Sequence, residues 1–221
     1  MPPPAERDAR DPVPIPSVRM DTTNYEKFQT GNPVVRRLFD NFFDRISTEI
    51  AAVDPARVLD AGCGEGETIE RLRDLLPKPV QGIDLNPESV EFASARLPED
   101  RFEVGDLTDL RFEDSSFDLV LCLEVLEHIP DPEPALREMA RVSSSDLLIS
   151  VPHEPWFRLG SLARGNYLSD WGNHPEHVNH WNPKTLRRFL EPTVNVVEIT
   201  TSLPWVIARC RVPEVEARSG D

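Results

Sequence analysis

The chain has 221 residues and a mass of 25.0 kDa, which predicts one domain with a sizeable core and leaves little room for a second. Lys and Arg total 24 against 39 Asp and Glu, a net charge of −15 that disfavours nucleic acid as a partner, because affinity for a phosphate backbone comes from cationic side chains displacing counterions. No stretch approaches ~18 continuous apolar residues, so no membrane span is expected.

Six of the first sixteen residues are proline and half of the others are charged, so residues 1–20 are expected to form a disordered tail, with no apolar run of the kind a signal peptide needs. Residues 21–54 are expected to cap the fold. Within them, Asn32 and Pro33 announce a helix whose Val35, Leu38, Phe39, Phe42, Phe43 and Ile46 share one stripe. Short apolar runs then alternate with helical patterns: strands at 57–61, 80–84, 101–104, 117–123 and 146–151, helices at 66–76, 87–96 and 132–142. That alternation predicts an α/β, Rossmann-like, doubly wound sheet, mostly parallel, occupying residues 55–212. The runs 193–200 and 203–210 have only Thr201 and Ser202 between them, a link too short for a crossover, so this last pair is expected to be antiparallel. Residues 152–181, rich in His, Trp, Gly and Asn without periodicity, read as a functional lid; residues 213–221 read as a second disordered tail. Cys63, Cys122 and Cys210 lie far apart with no CxxC spacing, which argues against a disulfide framework or a thiolate zinc site and for a reducing, cytoplasmic setting. The sequence carries no signal for the oligomeric state.

The run Asp60-Ala-Gly62-Cys63-Gly64-Glu-Gly66 takes a strand into a glycine turn and on into a helix, where a backbone free of side chains can approach a ligand at unpaired N–H groups. A dinucleotide fingerprint requires GxGxxG, and here Gly66 comes one position early, with Glu67 in the last place. Asp60, just before the turn, suits a cationic, amino-acid-bearing ligand better than a pyrophosphate. This run resembles motif I of the class I S-adenosylmethionine-dependent methyltransferases. The likeness extends to Asp84 in Gly82-Ile-Asp-Leu85, to Asp106 in Val104-Gly-Asp-Leu107, and to 117–129, which resembles the fourth strand and following turn of the ubiquinone-biosynthesis O-methyltransferase branch. The resemblance implies S-adenosylmethionine as cofactor, held by Asp60, Gly62, Cys63, Gly64, Asp84, Leu85, Asp106, Leu107 and Leu123. Asp84 would hold the ribose hydroxyls, Asp106 would lie beside the adenine amino group, and Leu107 would pack on the ring. A seventh strand inserted antiparallel is also a family trait.

Glu124-Val-Leu-Glu127-His128 places two carboxylates and an imidazole at i, i+3 and i+4, one face if the turn is helical. The run resembles the Glu-x-x-Glu-His element of metal-assisted O-methyltransferases. In the small-RNA branch a further metal-binding His lies four residues before a Trp, as His177 does before Trp181. The resemblance implies Mg or Mn at Glu124, Glu127, His128 and His177, lowering the pKa of an acceptor hydroxyl. The competing reading keeps Glu127 and His128 as a cap that shapes the acceptor pocket, with His128 or His177 as general base. His153, Glu154, Trp156 and Phe157 suggest a partly apolar acceptor pocket, and Tyr25 and Phe28 a flap over the cofactor. The expectation is methyl transfer to a small-molecule acceptor at a hydroxyl oxygen, with Glu127, His128 and His177 at the chemistry. Three alternatives stay open: C- or N-methylation in a natural-product or cell-surface pathway, 2′-O-methylation of small RNA, and a non-catalytic cofactor-binding domain.

Overall fold

A computed structural model describes residues 32–154 and 178–213. The expected N-terminal tail, Tyr25, Phe28, most of the lid with Trp156, Phe157, His174 and His177, and nearly all of the C-terminal tail lie outside the described residues.

Helix α1 (Pro33–Val53) begins as its sequence dictates. The Asn32 side chain accepts from the amides of Val34 and Val35 at 2.9 and 3.5 Å, and Pro33 fills the first helical position, where its missing N–H costs nothing. Its stripe buries Phe42, Phe43, Ile46 and Ile50, and the rings of Phe39 and Phe42 lie 5.1 and 4.8 Å from Trp205. The buried acid on this face, Glu49, is neutralised by Arg45 at 2.5 Å and Arg209 at 3.1 Å. An apolar stripe and one ion cluster thus dock α1 onto the sheet.

The remaining elements are β1 (Val58–Ala61), α2 (Glu67–Arg71), β2 (Gln81–Asp84), α3 (Pro87–Arg96), β3 (Arg101–Val104), β4 (Phe117–Leu123), a 3₁₀ turn (Leu126–His128), α4 (Glu133–Val142), β5 (Ser143–Pro152), α5 (Pro183–Leu190), β6 (Asn195–Ser202) and β7 (Trp205–Arg211). They form one seven-stranded sheet in the order β3-β2-β1-β4-β5-β7-β6. Strands β1 to β5 pair in parallel and β6 and β7 pair antiparallel, as the chain pattern predicts; β7 also runs antiparallel to β5.

Three boundaries differ from expectation. Helix α2 stops at Arg71 instead of reaching 76, because the chain tightens toward Pro77, with Arg73 N–H bonding to the Glu70 carbonyl at 3.3 Å. Strand β5 starts at Ser143, three residues early. Its serines show no apolar alternation, but they pair with the start of β4, and the Ser144 hydroxyl donates to the Phe117 carbonyl at 3.1 Å. The β6–β7 turn falls at Leu203-Pro204, closing the pair Ser202 and Trp205.

Period-two alternation divides the core between the two faces of the sheet. Leu59, Ala61, Val120, Cys122, Leu147 and Ile149 face α4 and α5, while Val58, Leu119, Leu121 and Leu148 face α1 and α2. Strand order reverses at β1, with β2 and β3 to one side and β4 and β5 to the other. In an open α/β sheet the ligand crevice lies at that reversal, outside the carboxyl ends of the strands.

Candidate active site

The glycine turn leaves β1 at this reversal. Gly62 N–H and Cys63 N–H both bond to the Ile83 carbonyl, at 2.8 and 3.0 Å, so the turn is anchored to β2. Gly62 has φ +85°, and a Cβ there would fall 2.4 Å from Val125 Cγ2. Gly64 has φ +50°, and a Cβ there would meet nothing within 4 Å. The two glycines therefore do different work: Gly62 admits the turn after β4, and Gly64 presents bare backbone to open space.

Asp84, the last residue of β2, binds the turn directly. Its Oδ2 accepts from Gly64 N–H at 2.8 Å and its Oδ1 from Asn86 N–H at 2.9 Å. Each oxygen keeps a further lone pair for a ligand hydroxyl. Leu85 beside it is 72% exposed, and Val104, paired with Asp84 across β2 and β3, is 53% exposed. Sequence reading named Leu85 and missed Val104; together they offer apolar surface where a flat base would rest. Asp106 is exposed, and its carboxyl is held low by the Thr108 amide and hydroxyl, both at 2.8 Å, so it stands ionised. Leu107 is buried beneath it, and Leu123 at the end of β4 is half-buried.

Asp60 is 2% exposed, and its Oδ2 has no hydrogen-bond partner among the described residues. Burial, together with the charge of Asp84, raises its carboxyl to about 7. An orphaned buried oxygen in a cradle with an open backbone face is the arrangement expected of residues that receive a cationic group. Cys63 is buried and its thiol is pushed up by burial and by Asp60, so it packs without reacting.

On the β4–β5 side, Glu124 and Glu127 do not share a helical face. The 3₁₀ turn starts only at Leu126, and Glu124 lies before it with φ +61°. Glu124 N–H bonds to the Ser150 carbonyl at 3.1 Å, and its Oε1 accepts from the Ser150 hydroxyl at 2.8 Å, which aims it at β5. Glu127 is 1% exposed, and its carbonyl accepts from Val178 N–H at 2.9 Å and Asn179 N–H at 3.2 Å. The Asn179 amide donates to the Ile129 carbonyl at 2.6 Å, tying the returning chain to the same turn. His128 is exposed, with Nε2 at 3.8 Å from Glu127 Oε1. Among the described residues no group of three or more His, Cys, Asp or Glu is placed to hold a metal ion. A shared helical face therefore does not extend to Glu124, and His177 lies outside the described residues.

His153, just past β5, pairs with Trp181 in an isolated parallel bridge. Burial pushes its imidazole down, toward the neutral form, and Glu154 N–H bonds to the Trp181 carbonyl at 2.8 Å. Ser150, Val125 and Asn179 are site-building residues that sequence reading missed, since their partners lie 26 to 63 positions away.

Comparison with known proteins agrees with this geometry. The model of the methyltransferase domain family matches residues 59–148. Ajmaline N-methyltransferase from Rauvolfia serpentina is 37% identical over 103 residues, covering 44% of this chain and 35% of the relative. Ubiquinone biosynthesis O-methyltransferase from Xanthomonas oryzae is 42% identical over 92 residues, covering 39% and 38%. The chain thus spans little more than a third of the length of these curated relatives. Magnesium protoporphyrin IX methyltransferase from Synechocystis, solved with SAH bound, superposes with a TM-score of 0.62 at 18% identity, over 86% of this chain and 94% of that one. S-adenosylmethionine is the cofactor of this family, and the open glycine face, Asp84 and Asp60 fit it. Fold, matched domain and cradle converge on one assignment: the chain carries a class I S-adenosylmethionine-dependent methyltransferase domain, related to the type 11/12 and O-methyltransferase branches.

Proposed function

We propose that the chain transfers a methyl group from S-adenosylmethionine to a hydroxyl oxygen of a small molecule in the cytoplasm. The observation that carries this is the exposed His128 imidazole beside buried Glu127, at the mouth between β4 and β5 and next to the cofactor turn through Val125. Three buried free cysteines suit a reducing compartment, and no helix among the described residues is long and apolar enough to cross a membrane.

The cofactor, when bound, supplies an electrophilic methyl on a sulfonium. The chain's own residues do the rest. Gly64 and Asp84 fix the cofactor's position, and Asp60 sets a carboxylate against its positive charge. His128, with Glu127 behind it, accepts the hydroxyl proton as the new oxygen–carbon bond forms and the sulfur–carbon bond breaks. Were a divalent metal to assist, Glu124, Glu127, His128 and His177 would be the residues to hold it, and it would lower the pKa of the acceptor hydroxyl.

An amine acceptor is the second reading, favoured by the carboxylates of Asp60, Glu124 and Glu127, which all lie close enough to bias the Cys122 thiol. The test is SAH release with S-adenosylmethionine and a panel of catechol-like diols, sugar diols and secondary amines, with and without chelator. Turnover on diols that persists in chelator and falls in His128→Gln supports the proposal. Turnover on amines alone replaces hydroxyl with amine, and turnover lost in chelator transfers the proton-removing role from His128 to a metal. Binding of S-adenosylmethionine with no turnover on any class contradicts both acceptor readings.

A further inference from the structure

Asp60 sits at the centre of the cradle without the partners a carboxylate needs. It is 2% exposed, and its Oδ2 finds no donor among the described residues. From β2, the Asp84 carboxyl, fixed by the Gly64 and Asn86 amides, faces it. From the turn it meets the Cys63 thiol, and from β4 the Cys122 thiol, which also feels Glu124 and Glu127. Both thiols are pushed up by burial and stay uncharged, so among the described residues none of the groups named here that face Asp60 is a cation. Placing a second negative charge beside Asp84, on a carboxyl whose Oδ2 is buried without a donor, is costly.

We propose that Asp60 is a neutral carboxylic acid in the empty cradle and gives its proton to solvent as the cationic cofactor binds, linking cofactor affinity to pH through this one side chain. This rests on the cofactor reading above and adds to it. The O–H bond of the carboxyl breaks, the proton leaves to buffer, and the carboxylate remains against the positive charge of S-adenosylmethionine. SAH lacks the sulfonium charge, so its binding draws out a smaller fraction of the proton. The same residue therefore favours substrate over spent product, and the preference widens as pH rises through the range in which Asp60 titrates. Thermodynamic linkage fixes the sign, since a ligand that favours the deprotonated form binds more tightly as protons become scarce.

Calorimetric titration of the full chain with S-adenosylmethionine, in buffers of different ionisation heat, tests this. At pH 6 the expected release is roughly 0.9 proton per cofactor bound, with a smaller release for SAH. Affinity should rise roughly eightfold from pH 5.5 to 6.5, below the α-amino range of about 7.7–8.0, so the cofactor's own ammonium does not contribute. Asp60→Asn, which mimics the neutral acid, should release almost no proton and show a flat profile. Binding by the unmodified chain without proton release, or equal release by Asp60→Asn, overturns the inference and leaves the cofactor assignment standing. If Asp60→Asn does not fold, carboxyl carbon resonances of the unmodified protein decide. One aspartate titrating near pH 7 in the empty protein, and no longer in the complex, supports the inference; its absence overturns it. No cofactor binding at any pH removes the cofactor reading, and the inference with it.

Discussion

The β1–β2–β3 side of the sheet mouth is made largely of backbone, whereas the β4–β5 side is made of side chains and returning chain. On the first side, positive-φ glycines, two amides on the Ile83 carbonyl and two amides on Asp84 define the surface, all within 25 consecutive residues. On the second, Ser150 holds Glu124, Val178 and Asn179 close on the Glu127 carbonyl, and His153 pairs with Trp181. A backbone site is tied to one ligand shape. A side-chain site changes acceptor by substitution without touching the fold, which is how one architecture serves many acceptors.

Gly62→Ala should break the join between the two sides most severely. Its Cβ would enter Val125 Cγ2 at 2.4 Å on a backbone of φ +85°, so unfolding by denaturant should show a loss of about 3–5 kcal/mol. Gly64→Ala sharpens the contrast. It meets no atom within 4 Å, so stability should fall by only about 1–2 kcal/mol, while calorimetry should show cofactor affinity reduced because the added methyl occupies the ligand's side.

The pH dependence of the empty protein comes next. Asp60 is raised from 3.8 to about 7 in the fold, so the native state holds this proton more tightly than the unfolded chain. Its contribution is complete below pH 3.8 and is lost as pH rises to about 7, on the order of 4 kcal/mol. Melting curves across that range should show the decline in the unmodified chain and a flatter profile in Asp60→Asn. Asp84→Ala should weaken S-adenosylmethionine binding by about 1.5–3 kcal/mol, the scale of hydrogen bonds to a charged group. Ser150→Ala has the smallest expected effect: about 1 kcal/mol of stability, cofactor affinity within roughly twofold, and turnover down by about fivefold as Glu124 loses its hydroxyl.

The same contrast explains what could be read before the structure. The strand–helix alternation, the antiparallel finish and the glycine turn were legible because each is written in contiguous residues: apolar periodicity, a two-residue link, and Asp60 to Gly66. Asp84 was legible from its place at the end of β2. The exposed face of Val104 was hidden, because it arises only when β3 becomes the sheet edge beside Asp84. The i, i+3, i+4 spacing of Glu124, Glu127 and His128 implies a shared face only if the backbone is helical throughout, and Glu124 adopts φ +61°. Nothing near Glu124 in sequence announces Ser150, 26 positions on.

The central claim is that the glycine turn and Asp84 form one cradle for S-adenosylmethionine. Calorimetric titration of the unmodified chain and of Asp84→Ala at pH 7.5 tests it most directly. The account predicts saturable one-site binding, weakened roughly 10- to 150-fold by the substitution. Absence of binding in the folded chain, or equal affinity in both proteins, would contradict it.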